Sequence, residues 1–377
     1  MSATLSDIPA AKSGQTKTAA SPAVEITYTI CPIYVASHVA LELGWLEEEI
    51  RKAGGSPGFL RAKPDNGLHA HFSHRHDNLF RDGGIVPSIW AKADNTDTTL
   101  LALTAAPHGG GQILVRADSG IRRVADLRGR KIGLSRITNP GKIDWWRATS
   151  ERGIELALAL HGLGRDDVRI VDVEHDDSHF SGRGAGHPQV GGFLTGAKPA
   201  DAWARLRERT IPGFVPEVQA LQDGQVDAVF TNFGRAIALQ RTGLFTAIED
   251  LGRHPDWTLQ VSNSPWALTV NTDLVKNHPE IVVAYLRAAI RAGRWINAHR
   301  AAAADILHRV TYPPTPADTL REITPVDFVP NLSAQNLAAA EIKKQFLLSH
   351  GYIKRDFSVK EWAAPDLLAQ AHRSLPA

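Results

Sequence analysis

The chain contains a single cysteine, Cys31, at a position where a thiol could be reactive. It follows Glu25–Ile30, whose alternating and β-branched residues predict a strand, and it precedes Pro32 and a helical apolar pattern over Tyr34–Glu49. Ligands of open α/β sheets bind beyond the carboxyl ends of strands, and the positive end of a helix lowers the pKa of a thiol. Position alone leaves two roles open for Cys31, a catalytic thiol or a small buried apolar side chain.

Four histidines, His69, His71, His74 and His76, fall within eight positions. Imidazole is a common zinc ligand, but no HExxH frame or CxxC pair accompanies these residues, and we therefore expect no bound metal. We expect most of the four to lie in a solvated polar loop. One of them could act as an acid–base group beside Cys31.

The segment Arg81–Gly84 (RDGG) precedes a predicted helix over Ile85–Ala93. Glycines at such a position let backbone N–H groups approach an anion closely, and an adjacent arginine adds a forked cationic donor. This combination predicts a pocket for a small anion. A simple glycine turn is the alternative.

Length and composition limit the classes of protein that the chain can be. Its 377 residues correspond to about two domains. With 42 basic and 40 acidic residues, the net charge of +2 excludes a nucleic-acid binder that works by bulk charge. No segment approaches the ~18 consecutive apolar residues of a membrane span. Residues 1–22 lack the basic cluster and apolar core of a secretory signal, so we expect a disordered lead-in and a cytoplasmic protein, which also suits a free thiol.

Strand and helix patterns alternate along the rest of the chain. Such alternation predicts an α/β fold with mixed or parallel sheets flanked by helices. Ala53–Pro57 is expected to be a loop. The other clear predictions are strands at Thr99–Ala105, Gln112–Arg116, Val168–Val173 and Trp266–Val270, and a long helix at Pro279–Ala298.

Two segments in the middle of the chain resemble the type II periplasmic-binding-protein fold. They are Asp126–Gly133 (DLRGRKIG) and Leu221–Ala228 (LQDGQVDA). The resemblance implies two α/β lobes with a ligand site in the cleft between them. Lobe 1 is then expected to be discontinuous, at 23–112 and 235–377, and lobe 2 to span 113–234.

The residues around the thiol also resemble the 2'-hydroxybiphenyl-2-sulfinate desulfinase family, which uses the same fold. The matching segments are Thr27–Pro32 (TYTICP), His71–Ser73 (HFS) and Arg81–Gly84, with ten positions between the histidine and the arginine. Near the C-terminus, Gln345–Leu348 (QFLL) and Trp362–Pro365 (WAAP) also agree with the family.

The resemblance implies roles for individual residues. Cys31 matches the nucleophilic cysteine and His71 its partner, while Arg81 and the Gly84 amide match the groups that orient the sulfinate. The sequence departs from the family at Ile30, which replaces a polar residue, and around Trp145-Trp146, where a substrate-wall tryptophan aligns poorly.

The implied reaction is the hydrolysis of an aromatic sulfinate to sulfite and the arene, without metal or organic cofactor. Cys31 would either attack sulfur or deliver a proton to the ring carbon, and Phe72 and Trp146 are expected to line the aryl pocket. The small aromatic sulfinate is the only expected partner, with no nucleic acid or membrane, and we expect a monomer.

A non-enzymatic solute-binding protein for a sulfonate, taurine-like or aromatic anion is the main alternative. Its support is the fold resemblance, because proteins of this fold serve transporters. A lone cysteine at the ligand end of the first strand would have no purpose in such a protein. A thiamine-pyrimidine synthase of the same fold would need a cysteine-rich motif, which a chain with one cysteine lacks.

Overall fold

The computed structural model describes residues 22–60, 68–105, 110–176 and 216–376. Two five-stranded mixed sheets organise this part of the chain, with strand orders β2-β1-β3-β10-β4 in sheet 1 and β7-β6-β8-β5-β9 in sheet 2. The strands are β1 (Val24–Ile30), β2 (Gly55–Phe59), β3 (Leu79–Gly83), β4 (Thr98–Thr104), β5 (Gln112–Arg116), β6 (Lys131–Ile137), β7 (Arg169–His175), β8 (Ala228–Thr231), β9 (Phe245–Asp250) and β10 (Trp266–Asn271).

Helices flank both sheets, and the predicted helix over Pro279–Ala298 has those bounds in the structure. In chain order the described helices are α1 (Ala36–Glu42), α2 (Trp45–Lys52), α3 (Leu68–Ser73), α4 (Ile85–Trp90), α5 (Trp145–Leu160), α6 (Pro216–Gln222), α7 (Phe233–Arg241), α8 (Thr272–Asn277), α9 (Pro279–Ala298), α10 (Arg300–His308), α11 (Pro316–Ile323), α12 (Ala334–Ser349), α13 (Val359–Trp362) and α14 (Pro365–Arg373).

The register of sheet 1 brings the predicted thiol and glycine segments together. β1 runs parallel to β3, with Ile30 opposite Asp82. Both strands are buried at this end, and β10 covers the other side of β3 in antiparallel pairing. Because parallel strands end at the same edge of a sheet, Cys31 and Gly83–Gly84 become neighbours although some fifty residues separate them in sequence.

Two local predictions in the first hundred residues were wrong. The expected loop at Ala53–Pro57 overlaps the edge strand β2, where Pro57 is tolerated because an edge strand has a side without ladder hydrogen bonds. The expected helix at Tyr34–Glu49 is divided into α1 and α2 by Gly44, whose φ of 75° is left-handed. Helix α1 begins at Ala36, so Cys31 does not lie at a helix N-terminus.

Sheet 2 extends beyond the lobe boundary predicted from the sequence. Lobe 2 was expected to end at residue 234, but β9 at Phe245–Asp250 pairs antiparallel with β5 and belongs to sheet 2. The expected lead-in at 1–22 lies outside the described residues except for Pro22. Among the described helices, none combines the length and apolar character that crossing a bilayer requires.

Candidate active site

The Cys31 thiol and the His71 imidazole are in contact. Cys31 Sγ lies 3.2 Å from His71 Nε2, and His71 Nδ1 lies 2.8 Å from the hydroxyl of Thr29. The imidazole is almost fully buried, at 3% exposure. Two partners on opposite sides of the ring fix its orientation, so Nε2 points at the sulfur and can exchange a proton with it.

Two short elements hold this pair of side chains. Thr29 and Cys31 are two positions apart along β1 and its extension, which places their side chains on the same face. His71 lies on the six-residue helix α3, between β2 and β3. The structure thus brings the side chains of Cys31 and His71 together.

Arg81 is the third predicted site residue, and it is completely buried in the middle of β3. Nε donates to the His71 carbonyl oxygen at 2.8 Å, while Nη1 donates to the Gly84 carbonyl at 3.0 Å and to the Ser88 hydroxyl at 2.7 Å. Nη2 lies 3.6 Å from Cys31 Sγ. The guanidinium thus ties the site together and places a positive charge beside the sulfur atom.

The two glycines after Arg81 have different roles. A Cβ at Gly83 would lie 2.4 Å from Cys31 Sγ, so only glycine lets the thiol pack against this strand. A Cβ at Gly84 would lie 2.3 Å from Asn263 Nδ2, and Gly84 lines the same cavity as Cys31. The sequence analysis predicted that the Gly84 amide orients the sulfinate, but it did not predict that Gly83 leaves room for the thiol.

Buried polar groups behind Cys31 were not predicted. Nε2 of His38 donates to the Cys31 carbonyl oxygen at 2.7 Å, and burial lowers the pKa of His38 to about 4, so the ring is neutral. Asp82 accepts a hydrogen bond from Ser37 Oγ at 2.6 Å, and burial raises the pKa of Asp82 to about 7. The only signal for His38 in the sequence is its place in the first turn of the helix that follows Cys31.

The other histidines of the cluster do not join the site. His74 is completely buried with Nε2 3.2 Å from Thr269 Oγ1, and burial lowers its pKa to about 3. The expectation of a solvated loop was therefore wrong for His71 and His74, because their rings are buried against Thr29 on β1 and Thr269 on β10, whereas His69 is exposed. No group of three or more metal-ligating side chains occurs among the residues that the structure describes.

An aromatic cavity of about 130 Å³ opens over the thiol. Phe72 and Trp146 both line it, as predicted, and Trp146 is held in place because its indole N–H donates to Glu217 Oε1. Elements of both sheets contribute, since Cys31 and Arg81 come from sheet 1 and Trp146 lies on α5 against sheet 2. Further lining residues are Tyr34, Pro87, Trp145, Asn232, Arg235, Asn263, Trp266, Thr311, Tyr312 and Pro313.

The fold and this site define a two-lobed, periplasmic-binding-protein-like protein with a thiol–imidazole pair in its cleft. No protein-family model matches the chain. The 2'-hydroxybiphenyl-2-sulfinate desulfinase of Rhodococcus erythropolis is 28% identical over 365 residues, which cover 91% of this chain and 92% of that protein. The desulfinase of Rhodococcus qingshengii gives the same values.

Solved structures agree with this resemblance. The desulfurization enzyme DszB superposes with a TM-score of 0.70 at 24% identity, covering 93% of this chain and 99% of that one. A cysteine-to-serine variant of DszB in complex with biphenyl-2-sulfinic acid gives 0.66 at 25% identity, with the same coverage. The alkanesulfonate-binding protein SsuA of Xanthomonas axonopodis gives 0.59 at 18%, covering 92% and 99%. The predicted fold class and the predicted resemblance to the desulfinases are both confirmed.

Proposed function

We propose that this protein is a cysteine-dependent desulfinase that hydrolyses the carbon–sulfur bond of an aromatic sulfinate. The observation that carries the proposal is the contact of Cys31 Sγ with both His71 Nε2 and Arg81 Nη2, at 3.2 and 3.6 Å, on the wall of an aromatic cavity. The similarity to the Rhodococcus desulfinases over 91% of the chain supports the same reaction. The class is a hydrolase, because water supplies the atoms that the products gain.

The overall reaction balances as ArSO₂⁻ + H₂O → ArH + HSO₃⁻. The sulfinate oxygens would bind near Arg81 and the Gly84 backbone, where a guanidinium and an N–H group offer charge-assisted hydrogen bonds. The ring would lie against Phe72 and Trp146. The cavity needs no metal or organic cofactor for this chemistry.

Two routes fit the position of Cys31. In the first, the thiolate attacks sulfur, the arene leaves with a proton from His71, and water then splits the cysteinyl–SO₂⁻ adduct into thiol and bisulfite. In the second, the thiol gives its proton to the ring carbon as the C–S bond breaks, water adds to the released SO₂ to form bisulfite, and His71 passes the proton that this water loses back to the Cys31 thiolate. Both routes use the hydrogen bond between His71 Nε2 and Sγ.

Cys31, His71 and Arg81, which the proposed chemistry uses, belong to one chain, and Cys31 is a free thiol. We therefore also propose a monomer that works in the cytoplasm, where thiols stay reduced. Size-exclusion chromatography with light scattering tests the first of these statements, and fractionation of the source cells tests the second.

The test of function is incubation of the purified protein with biphenyl-2-sulfinate and 2'-hydroxybiphenyl-2-sulfinate. Sulfite and arene should appear in equal amounts, and in D₂O the arene should carry one deuterium at the former C–S carbon. Trapping of a sulfur adduct on Cys31 by mass spectrometry would select the first route. Tight binding of aromatic sulfonates without any sulfite release would instead support a solute-binding protein.

A further inference from the structure

A carboxamide lies beside Gly84 on the wall of the cavity. It belongs to Asn263, in the segment between β9 and β10, and it lines the same cavity as Cys31 and Arg81. Asn263 is 9% exposed. A Cβ on Gly84 would lie only 2.3 Å from Asn263 Nδ2, so the carboxamide packs directly on the Gly84 backbone. The proposed binding position of the sulfinate is therefore next to the Asn263 side chain.

Backbone donors at the start of α4 fix the orientation of this carboxamide. The Val86 N–H donates to Asn263 Oδ1 at 3.2 Å, and the Ile85 N–H donates to the Asn263 carbonyl oxygen at 3.5 Å. A backbone N–H requires an acceptor, so the oxygen of the carboxamide must face Val86 and the nitrogen must face away from it. Among the residues that the structure describes, none accepts a hydrogen bond from Nδ2, so its two N–H donors are available to a ligand in the cavity.

Arg81 by itself has too few donors for a sulfinate. A guanidinium carries five N–H donors, and Nε and Nη1 of Arg81 use three of them on protein oxygens. The remaining two are on Nη2, which lies 3.6 Å from Cys31 Sγ. The two oxygens of an anionic sulfinate, like those of a carboxylate, offer about four acceptor positions. A buried anion whose acceptors stay unpaired is costly, so a further donor group beside Gly84 matters for affinity.

We infer that Asn263 Nδ2 donates a hydrogen bond to a sulfinate oxygen, so that the sulfinate is held between Arg81 and Asn263 over Gly84. The inference rests on the proposed desulfinase function and adds a substrate-binding residue to it. A carboxamide is neutral, so it adds a donor without placing a second positive charge beside Arg81. Hydrogen bonds to an ionised acceptor are roughly twice as strong as those between neutral groups. The contact therefore favours an aryl anion over a neutral aromatic ligand.

The experiment replaces the donor and keeps the acceptor. Asn263→Asp retains the size of the side chain and an oxygen for the Val86 N–H, but it puts a second oxygen where the NH₂ group was. Calorimetry with biphenyl-2-sulfinate on Cys31→Ser and on Cys31→Ser/Asn263→Asp should show a Kd at least about tenfold higher in the double variant. With Cys31 intact, Asn263→Asp should lower kcat/KM by a similar factor, mainly through KM, because the sulfinate carries its charge before the reaction begins.

A neutral variant and a neutral ligand separate this contact from general effects on the cavity. Asn263→Ser removes the NH₂ group without adding a charge. It should also raise the Kd of biphenyl-2-sulfinate by about tenfold, and it replaces Asn263→Asp if that variant fails to fold. Biphenyl has the same rings without the sulfinate. Its Kd should change by less than about threefold in either variant, because it accepts no hydrogen bond from the carboxamide.

Ser264→Ala is the matched control in the same segment. The Ser264 hydroxyl donates to the Gln260 carbonyl oxygen at 2.7 Å, and Ser264 is not among the described residues that line the cavity. Its loss disturbs the segment without removing a donor from the cavity. Both the Kd of biphenyl-2-sulfinate in the Cys31→Ser background and kcat/KM should therefore stay within about threefold.

The failures of the two proposals are distinguishable. An absence of sulfite from every aromatic sulfinate would overturn the desulfinase function, and the Kd values in the Cys31→Ser background would still test Asn263. A Kd of biphenyl-2-sulfinate that rises no more in both Asn263 variants than in Ser264→Ala would overturn the role of Asn263 alone. An equal loss of affinity for biphenyl would also overturn it, because the residue would then only shape the cavity.

Discussion

The two sides of the cavity are built on different principles. On the sheet 1 side, Thr29, Cys31, His71 and Arg81 form a continuous set of hydrogen bonds with distances from 2.8 to 3.6 Å. On the sheet 2 side, the wall contains the aromatic rings of Trp146 and Tyr312, and the guanidinium of Arg235 lies over both rings. The first side is suited to holding a reacting group in one geometry. The second is suited to selecting the remainder of a ligand by shape.

The strongest test of this division is Cys31→Ser. Sulfite release should fall by at least about 10³-fold, because a hydroxyl is a far weaker acid and nucleophile than a thiol at neutral pH. Binding of an aromatic sulfinate should persist, since the aromatic wall and both arginines remain. Turnover assays and calorimetry measure the two quantities.

Labelling supplies the control for that substitution. Cys31 is the only cysteine, so one equivalent of iodoacetamide should reproduce the loss of turnover in wild type and leave Cys31→Ser unmodified. A serine variant that releases sulfite at the wild-type rate would show that Cys31 has no part in the mechanism. The sheet 1 side could then no longer be distinguished from the sheet 2 side as the reacting side.

A second large effect is expected at Arg81. The sequence analysis gave this residue only a role in orienting the sulfinate, but the structure adds a role in stability. Removal of a surface arginine would weaken substrate capture only. Arg81 is fully buried and satisfies the His71 and Gly84 carbonyls, so Arg81→Gln should also cost about 2–4 kcal/mol of unfolding free energy. Urea denaturation measures this loss. Arg253→Gln, at a side chain 84% exposed, should change stability by less than about 0.5 kcal/mol; an equal loss in both variants would contradict the structural role.

The residues that meet on the sheet 1 side could be selected from the sequence because their signals are local. The Cys-Pro turn, the histidine cluster and the Arg81–Gly84 segment each lie at the end of a strand or on a short helix beside it, and parallel register brings such ends together. The helix-dipole explanation for Cys31 was nevertheless wrong, because α1 starts at Ala36. The positive charge near the sulfur comes from Arg81 instead.

The sheet 2 side could be predicted only in part. Trp146 was proposed as a wall residue, and it lines the cavity. Arg235, Tyr312 and Glu217 lie in three separate segments that no local motif connects. Their convergence depends on how α5, α6 and α7 pack on sheet 2 and how the loop after α10 meets them, which is tertiary information that periodicity does not contain.

A smaller but more specific effect is expected at Gly83. Gly83→Ala would place a methyl group 2.4 Å from Cys31 Sγ and 3.0 Å from Arg81 Nη2, so the thiol must move. A displacement near 1 Å in a reacting group costs on the order of 10²-fold in kcat/KM. Gly58→Ala is the control on the same sheet, because its nearest neighbour would be 3.7 Å away, an ordinary contact. Equal kcat/KM for the two variants would show that the position of the thiol does not depend on Gly83.

The smallest effect on turnover is expected behind the aromatic wall, in Glu217→Gln. The amide oxygen can still accept from the Trp146 indole, so kcat/KM should stay within about threefold on biphenyl-2-sulfinate. Stability should respond to pH instead. Burial raises the pKa of Glu217 to about 7 from an ordinary value of 4.5, an effect that the Trp146 hydrogen bond and the Arg235 charge oppose. The unfolded chain therefore loses its proton at lower pH than the native protein does.

The sign follows from those two values. Below pH 4.5 the carboxyl is protonated in both the native and the unfolded state, so its titration does not change the free energy of unfolding. Above pH 4.5 the unfolded chain ionises first, and the free energy of unfolding falls as the pH rises through about 7, where the native carboxyl ionises too. A permanently neutral glutamine does not titrate, so the unfolding free energy of Glu217→Gln minus that of wild type should grow by about 3 kcal/mol between pH 4 and pH 8. Urea denaturation of both proteins across this range measures the difference. A constant difference at all pH values would mean that Glu217 titrates as it does in water, and that the wall behind Trp146 is as hydrated as the surface.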